Sequence, residues 1–145
     1  MTNRFLRGIA FGLGFMALAA PAMAEDVSGN YPHSETLLSN PKSIIGETIT
    51  YPGGTPAQIV SARIVIDPGE QTGWHKHGVP LFVYILSGEV TVDYGDKGIK
   101  TYQAGTAFME AMDQFHNGMN KGTEPVHILG VYMGAEGLHD VIRKK

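Results

Sequence analysis

From Ile59 onward the chain is a succession of strand-length apolar stretches closed by turn signals, with no helical period in any of them. Val60, Ala62, Ile64 and Ile66 alternate on one face, and Asp67-Pro68-Gly69 ends that run. Leu81 to Leu86 is almost continuously apolar and is turned by Ser87-Gly88 into Val90, Val92 and Tyr94. Gly95-Asp96-Lys97-Gly98 reads as a hairpin loop, followed by strands over Ile99 to Gln103, Thr106 to Glu110 and Pro125 to Met133. A parallel sheet would need helical crossovers, which this pattern does not supply. The expectation is therefore an all-β chain closed into a sandwich or jelly-roll barrel, which also removes exposed sheet edges.

The remainder divides around that core. Residues 1–24 read as a secretory signal: Arg4 and Arg7 precede an apolar run, and Ala22-Met23-Ala24 gives the small-x-small pattern for cleavage after Ala24. Residues 25–55 form an N-terminal arm and edge strand, 56–134 the barrel, and 135–145 a tail with room for a short helix. The chain has no cysteine, which excludes a disulfide framework, a thiolate metal site and a nucleophilic Cys. A periplasmic or secreted location is expected. The net charge is −3, and loss of Arg4 and Arg7 with the leader makes it −5. With no basic run after the leader, neither nucleic acid nor an anionic membrane surface is an expected partner, which leaves a small molecule.

Histidines carry the chemistry. His75 and His77 lie at the start of a strand, where i and i+2 share a face about 6.6 Å apart at Cα and can converge on one ion. His116, opening a segment after a turn, is the third donor. Three imidazoles on a dry interior suit one divalent transition metal: Fe, Mn, Ni, Cu or Zn. At this point the sequence resembles the cupin superfamily. Gly69-Glu-Gln-Thr-Gly-Trp-His75-Lys-His77 followed by Gly88 is similar to the first cupin motif, and Gly105, His116 and Asn120 fall at the spacings of the second. The resemblance implies a jelly-roll (double-stranded β-helix) barrel, with His75, His77 and His116 as metal ligands, and a homodimer. The chain departs from the family at Leu81, where a glutamate ligand is usual, and at Ala111 and Asp113, where proline and glycine are usual.

Glu110 is the candidate to replace the lost carboxylate or to act as catalytic acid or base, since it shares a face with Phe108. Gln71, in the loop before His75, and Tyr84, alternating with Phe82 and Leu86, are candidate substrate-binding residues. His127 is expected to point outward, with Trp74 and Phe115 as packing or rim residues. There is no nucleophile elbow, phosphate loop or dinucleotide fingerprint. The expected function is a metal-dependent enzyme on a small organic molecule, of dioxygenase or isomerase/lyase type. A non-catalytic ligand-binding or sensor protein is the alternative.

Overall fold

The computed structural model describes residues 35–145. The expected leader and its cleavage site lie outside the described residues. Among the described residues nine strands follow one another: β1 (Ala57–Ile66), β2 (His75–His77), β3 (Leu81–Ser87), β4 (Glu89–Asp93), β5 (Ile99–Gln103), β6 (Ala107–Met109), β7 (Asn117–Met119), β8 (Val126–Ala135) and β9 (Val141–Arg143). One 3-10 turn spans Gly95–Lys97, and no α-helix occurs among the described residues. The strands form sheets ordered β1-β8-β3-β6, β5-β4-β7 and β2-β9, and every named pairing is antiparallel. This is the all-β cupin jelly-roll.

Strand parity builds the interior. Val60, Ala62, Ile64 and Ile66 of β1 are more buried than their neighbours, as their alternation predicts. On β4, Val90 and Val92 are buried, and Tyr94, next after the strand, is fully so. Val126 and Ile128 of β8 and Phe108 of β6 complete the shared core. Each such aliphatic side chain contributes roughly 1.5–3 kcal/mol over leaving it in water. Gly88 makes the β3–β4 turn at φ 78°, where a Cβ would press against the Pro125 carbonyl and an L side chain is strained.

Two expectations are corrected here, on β3 and in the tail. On β3 it is Leu81, Val83 and Ile85 that face inward, so Phe82, Tyr84 and Leu86 occupy the outer face. The apolar run was ambiguous in parity, and the register β3 adopts between β6 and β8 decided it. The tail holds no helix: Val141–Arg143 pairs as β9 with β2. The arm is tied to the barrel. Ile44 and Ile45 pack on the core, Ile44 N–H donates to the Met109 carbonyl at 2.9 Å, and Lys100 Nζ donates to the Ile44 carbonyl at 2.7 Å.

Candidate metal centre

The first two histidines reach the centre through strand alternation and the third through a bridge. His75 and His77 lie on one face of β2. His116 pairs with His75 as an isolated antiparallel bridge, His75 N–H to His116 O at 3.0 Å and His116 N–H to His75 O at 2.8 Å. Side chains of directly paired residues project to the same side, so the bridge brings the third ring beside the first. Ring centroids are 4.6 Å apart for His75 and His116, and 5.1 Å for each of the other two pairs. One ligand nitrogen from each ring lies within 4.8 Å of the others.

A backbone carbonyl fixes each tautomer. Nδ1 of His75 meets the Gly73 carbonyl at 2.8 Å, Nδ1 of His77 the Asp140 carbonyl at 3.1 Å, and Nδ1 of His116 the Gln114 carbonyl at 3.0 Å. A carbonyl only accepts, so each Nδ1 carries the proton and each Nε2 keeps its lone pair. Burial holds all three imidazoles below their usual pKa, His77 at about 3, and mutual repulsion of charged rings adds to the effect at His75 and His77. Three neutral imidazoles with oriented Nε2 lone pairs are the donor set a divalent transition metal requires, so the residues present fit such an ion.

Glu110 stands beside this set. It is 5% exposed and its Oε2 lies 4.0 Å from His116 Nε2, while the group of three that shares one 4.8 Å neighbourhood does not include it. Oε1 accepts from Tyr94 OH at 2.8 Å and from the Ala111 N–H at 2.7 Å. Those two donors occupy one oxygen and leave the other turned toward the histidines. Ala111 can give this bond because it is not proline, so the departure at that motif position supports the carboxylate next to it. Glu110 N–H also bonds the Leu81 carbonyl at 2.8 Å, which places the acid across the strand pair from the position where the family's glutamate is absent. Burial pushes Glu110 up to about 7 despite both donors. The Tyr94 hydroxyl, pushed upward by burial, stays neutral and touches Tyr102 OH at 3.1 Å.

The histidines and Glu110 open into a small cavity of about 70 Å³. Its remaining wall is largely aliphatic, from Ile64, Leu81, Val83, Val92 and Ile128, with Tyr132 and Thr72 as further polar groups. A ligand here meets a polar end at the histidines and an apolar wall opposite.

Other sequence candidates fall elsewhere. Tyr84 is half-buried on the outer face of β3 and does not line the cavity, which corrects its expected ligand-binding place. Gln71 is exposed, also does not line the cavity, and its Oε1 accepts from Asn117 Nδ2 at 2.8 Å. His127 occupies the outward parity of β8. Trp74 and Phe115 do not line the cavity and lie beneath the Lys144 ammonium, at 5.5 and 5.8 Å from their ring centres. Asn120 pins the fold, its Nδ2 donating to the Ile66 and Glu124 carbonyls at 2.8 Å each. Sequence reasoning missed Tyr94 and Asp140 as supports of the site. Parity with Val90 and Val92 pointed Tyr94 inward, but nothing local marked a partner for His77 so far along the chain.

Comparison with known proteins agrees with this geometry. The cupin domain model matches residues 62–132, which contain the three histidines and Glu110. No curated protein matches the sequence. Among solved structures, the formate complex of Lactobacillus farciminis oxalate decarboxylase is 23% identical with a TM-score of 0.51, over 59% of this chain and 26% of that one. Bacillus subtilis oxalate decarboxylase, a protein with Mn(II) centres, is 27% identical at a TM-score of 0.48, over 59% of this chain and 23% of that one. A putative sugar phosphate isomerase from Acidithiobacillus ferrooxidans is 24% identical at 0.46, over 52% and 49%. The chain thus spans half or less of the length of these proteins. From the barrel, the paired histidine motifs and the matched domain together, the chain belongs to the cupin superfamily.

Proposed function

We propose that this protein is a metal-dependent enzyme that moves a proton on a small organic molecule, an isomerase or lyase by reaction class. The observation that carries the reading is the convergence of three carbonyl-locked imidazoles beside one buried carboxylate. His75, His77 and His116 would hold one divalent ion, which supplies Lewis acidity toward a bound oxygen atom of the substrate. Glu110 is the acid–base group: it is buried beside the histidines with Oε2 turned toward them, placed to take and return a proton on a substrate held there. Tyr94 and the Ala111 N–H fix Oε1, so proton exchange occurs at Oε2. Leu81, Val83 and Val92 exclude water around the apolar part of the substrate.

The test has two stages. Elemental analysis of untagged protein should find one transition metal per chain, lost when His75 and His77 are both changed to Ala. Glu110→Gln should then keep the metal and lose turnover by roughly 10²–10⁴-fold; full activity in that variant removes Glu110 from the mechanism. Dioxygenase chemistry on the same ligands is the competing reaction class, and oxygen consumption coupled to turnover identifies it.

A second reading, a ligand-binding or sensor protein, draws on Leu81, which replaces a carboxylate with an aliphatic wall. Ligand-dependent melting without turnover selects it. We place the protein in the periplasm, on the strength of the Arg4/Arg7 leader and the absence of cysteine. We also propose a homodimer, supported by Ile59, Val65 and Leu86, which remain 60, 47 and 44% exposed. Light scattering that returns a monomer mass removes the dimer.

A further inference from the structure

The three histidines are not supported alike. His75 and His116 take their Nδ1 acceptors from carbonyls two residues back, Gly73 and Gln114, so the local loop that presents each ring also orients it. His77 takes its acceptor from Asp140, 63 positions along the chain. That carbonyl reaches His77 only because the segment 139–144 is laid along β2, in the register His75↔Arg143, Lys76↔Ile142 and His77↔Val141. Beyond the strand pair, Lys144 N–H donates to the Trp74 carbonyl at 3.0 Å and Arg143 Nη1 to the Thr72 carbonyl at 3.1 Å.

Two further features mark this segment. Val141 and Ile142 are 39 and 38% exposed, so backbone bonds and the side-chain contacts of Arg143 and Lys144 hold the strand rather than core burial. Elements with little buried apolar surface open at low free-energy cost. In addition, a Cβ on Gly78 would collide with the His139 carbonyl, so the close approach of the two backbones depends on glycine at that position.

We propose that segment 139–144 is part of the metal-binding apparatus, acting as the positioning element that sets the tautomer and orientation of His77 and couples metal affinity to its own docking. The inference rests on the metal-centre reading given above. When the segment lifts, His77 loses its acceptor, its proton is free to move between nitrogens, and the ring is free to turn. Loss of such an outer partner weakens metal binding by roughly 10–100-fold in general. Linkage requires the reverse effect as well: a bound ion must favour the docked segment by the same factor.

The full chain can be titrated with Zn(II) alone against a chromophoric chelator, as wild type, Gly78→Ala, Lys144→Pro and Lys144→Ala. Gly78→Ala should bind about 10–100-fold more weakly. Lys144→Pro, which removes the N–H bonded to Trp74, should weaken binding in the same direction by less, while Lys144→Ala, which keeps that N–H and loses only the ammonium over Trp74 and Phe115, should weaken it less than Lys144→Pro does. In the wild type, Zn(II) should slow amide exchange over residues 141–144. Wild-type affinity in both Gly78→Ala and Lys144→Pro, or exchange in the segment indifferent to Zn(II), overturns the proposal. If Gly78→Ala does not fold, Lys144→Pro and the exchange measurement decide it. A wild-type chain that takes up no Zn(II), Fe(II), Mn(II), Ni(II) or Cu(II) overturns the metal-centre reading together with this one, whereas normal uptake with an indifferent segment overturns this one alone.

Discussion

Glu47, on the segment before β1, accepts hydrogen bonds from the Met112 and Asp113 N–H groups at 2.9 Å each and from the Ser43 hydroxyl at 2.7 Å. Glu110, at the end of β6, accepts from the neighbouring Ala111 N–H and from Tyr94 OH. The two carboxylates therefore grip one turn, residues 111–113, from the arm and from the barrel interior. Their titration differs in direction. Burial would raise Glu47, but the donors around it outweigh burial and hold it below the ordinary carboxylate value. At Glu110 burial is deeper and wins, and the carboxyl is pushed up to about 7. The lesson is one of donor supply against desolvation. A carboxylate saturated by backbone donors is a structural anchor, whereas one with an oxygen turned toward a cavity is available for chemistry.

The contrast can be broken by three measurements on metal-free protein. The largest effect belongs to Glu110→Gln. Because the folded pKa of Glu110 is raised, its contribution to stability is complete below about 4.5 and is lost as pH rises through about 7. The variant does not ionise, so its stability relative to wild type should rise with pH, reaching about 3 kcal/mol by pH 8. Denaturant unfolding at pH 4.5 and 8 reads the difference, and an unchanged difference would mean that the carboxylate is hydrated in solution.

Glu47→Gln should act in the opposite sense and less strongly. A group held low contributes stability above its ordinary value of 4.5 and loses it as pH falls. The variant should be less stable than wild type by about 2 kcal/mol at pH 7, since a charged acceptor of several donors is lost, with the deficit shrinking below pH 4.5. A deficit that grows in acid would contradict the anchor role.

Tyr94→Phe is the smallest of the three, about 1.5 kcal/mol, because it removes one hydroxyl, which donates to Glu110 Oε1 and contacts Tyr102 OH, and leaves the ring packing intact. It sharpens the contrast by stripping Glu110 of one of its donors, which should move the carboxyl further upward. Comparing Tyr94→Phe with the Tyr94→Phe/Glu110→Gln double variant across pH locates that titration. A midpoint no higher than in the Tyr94-containing pair would show that the phenol does not hold the carboxylate.

Much of this was legible in the residues. β5 runs over the stretch read from Ile99 to Gln103, and the inward parity of β1 and β4 follows their alternating apolar positions. The expected face shared by Phe108 and Glu110 is the interior one. β3 was the failure of parity: with Leu81 to Leu86 nearly all apolar, period two carries no information, and Tyr84 went to the wrong side. β9 was missed because three half-exposed residues carry too little hydrophobic signal to announce a strand.

By itself the sequence determined the strand-and-turn order, the cupin motifs and the histidine set, because each depends on spacing within a short stretch of chain. Only the tertiary structure decided which face of β3 looks inward, which tautomer each imidazole holds, and which of two carboxylates stays available. Those outcomes are set by groups distant in the chain: Asp140 for His77, Tyr94 for Glu110, Met112 and Asp113 for Glu47. Hydrogen bonding and desolvation depend on neighbours in space, and the closed barrel supplies those neighbours.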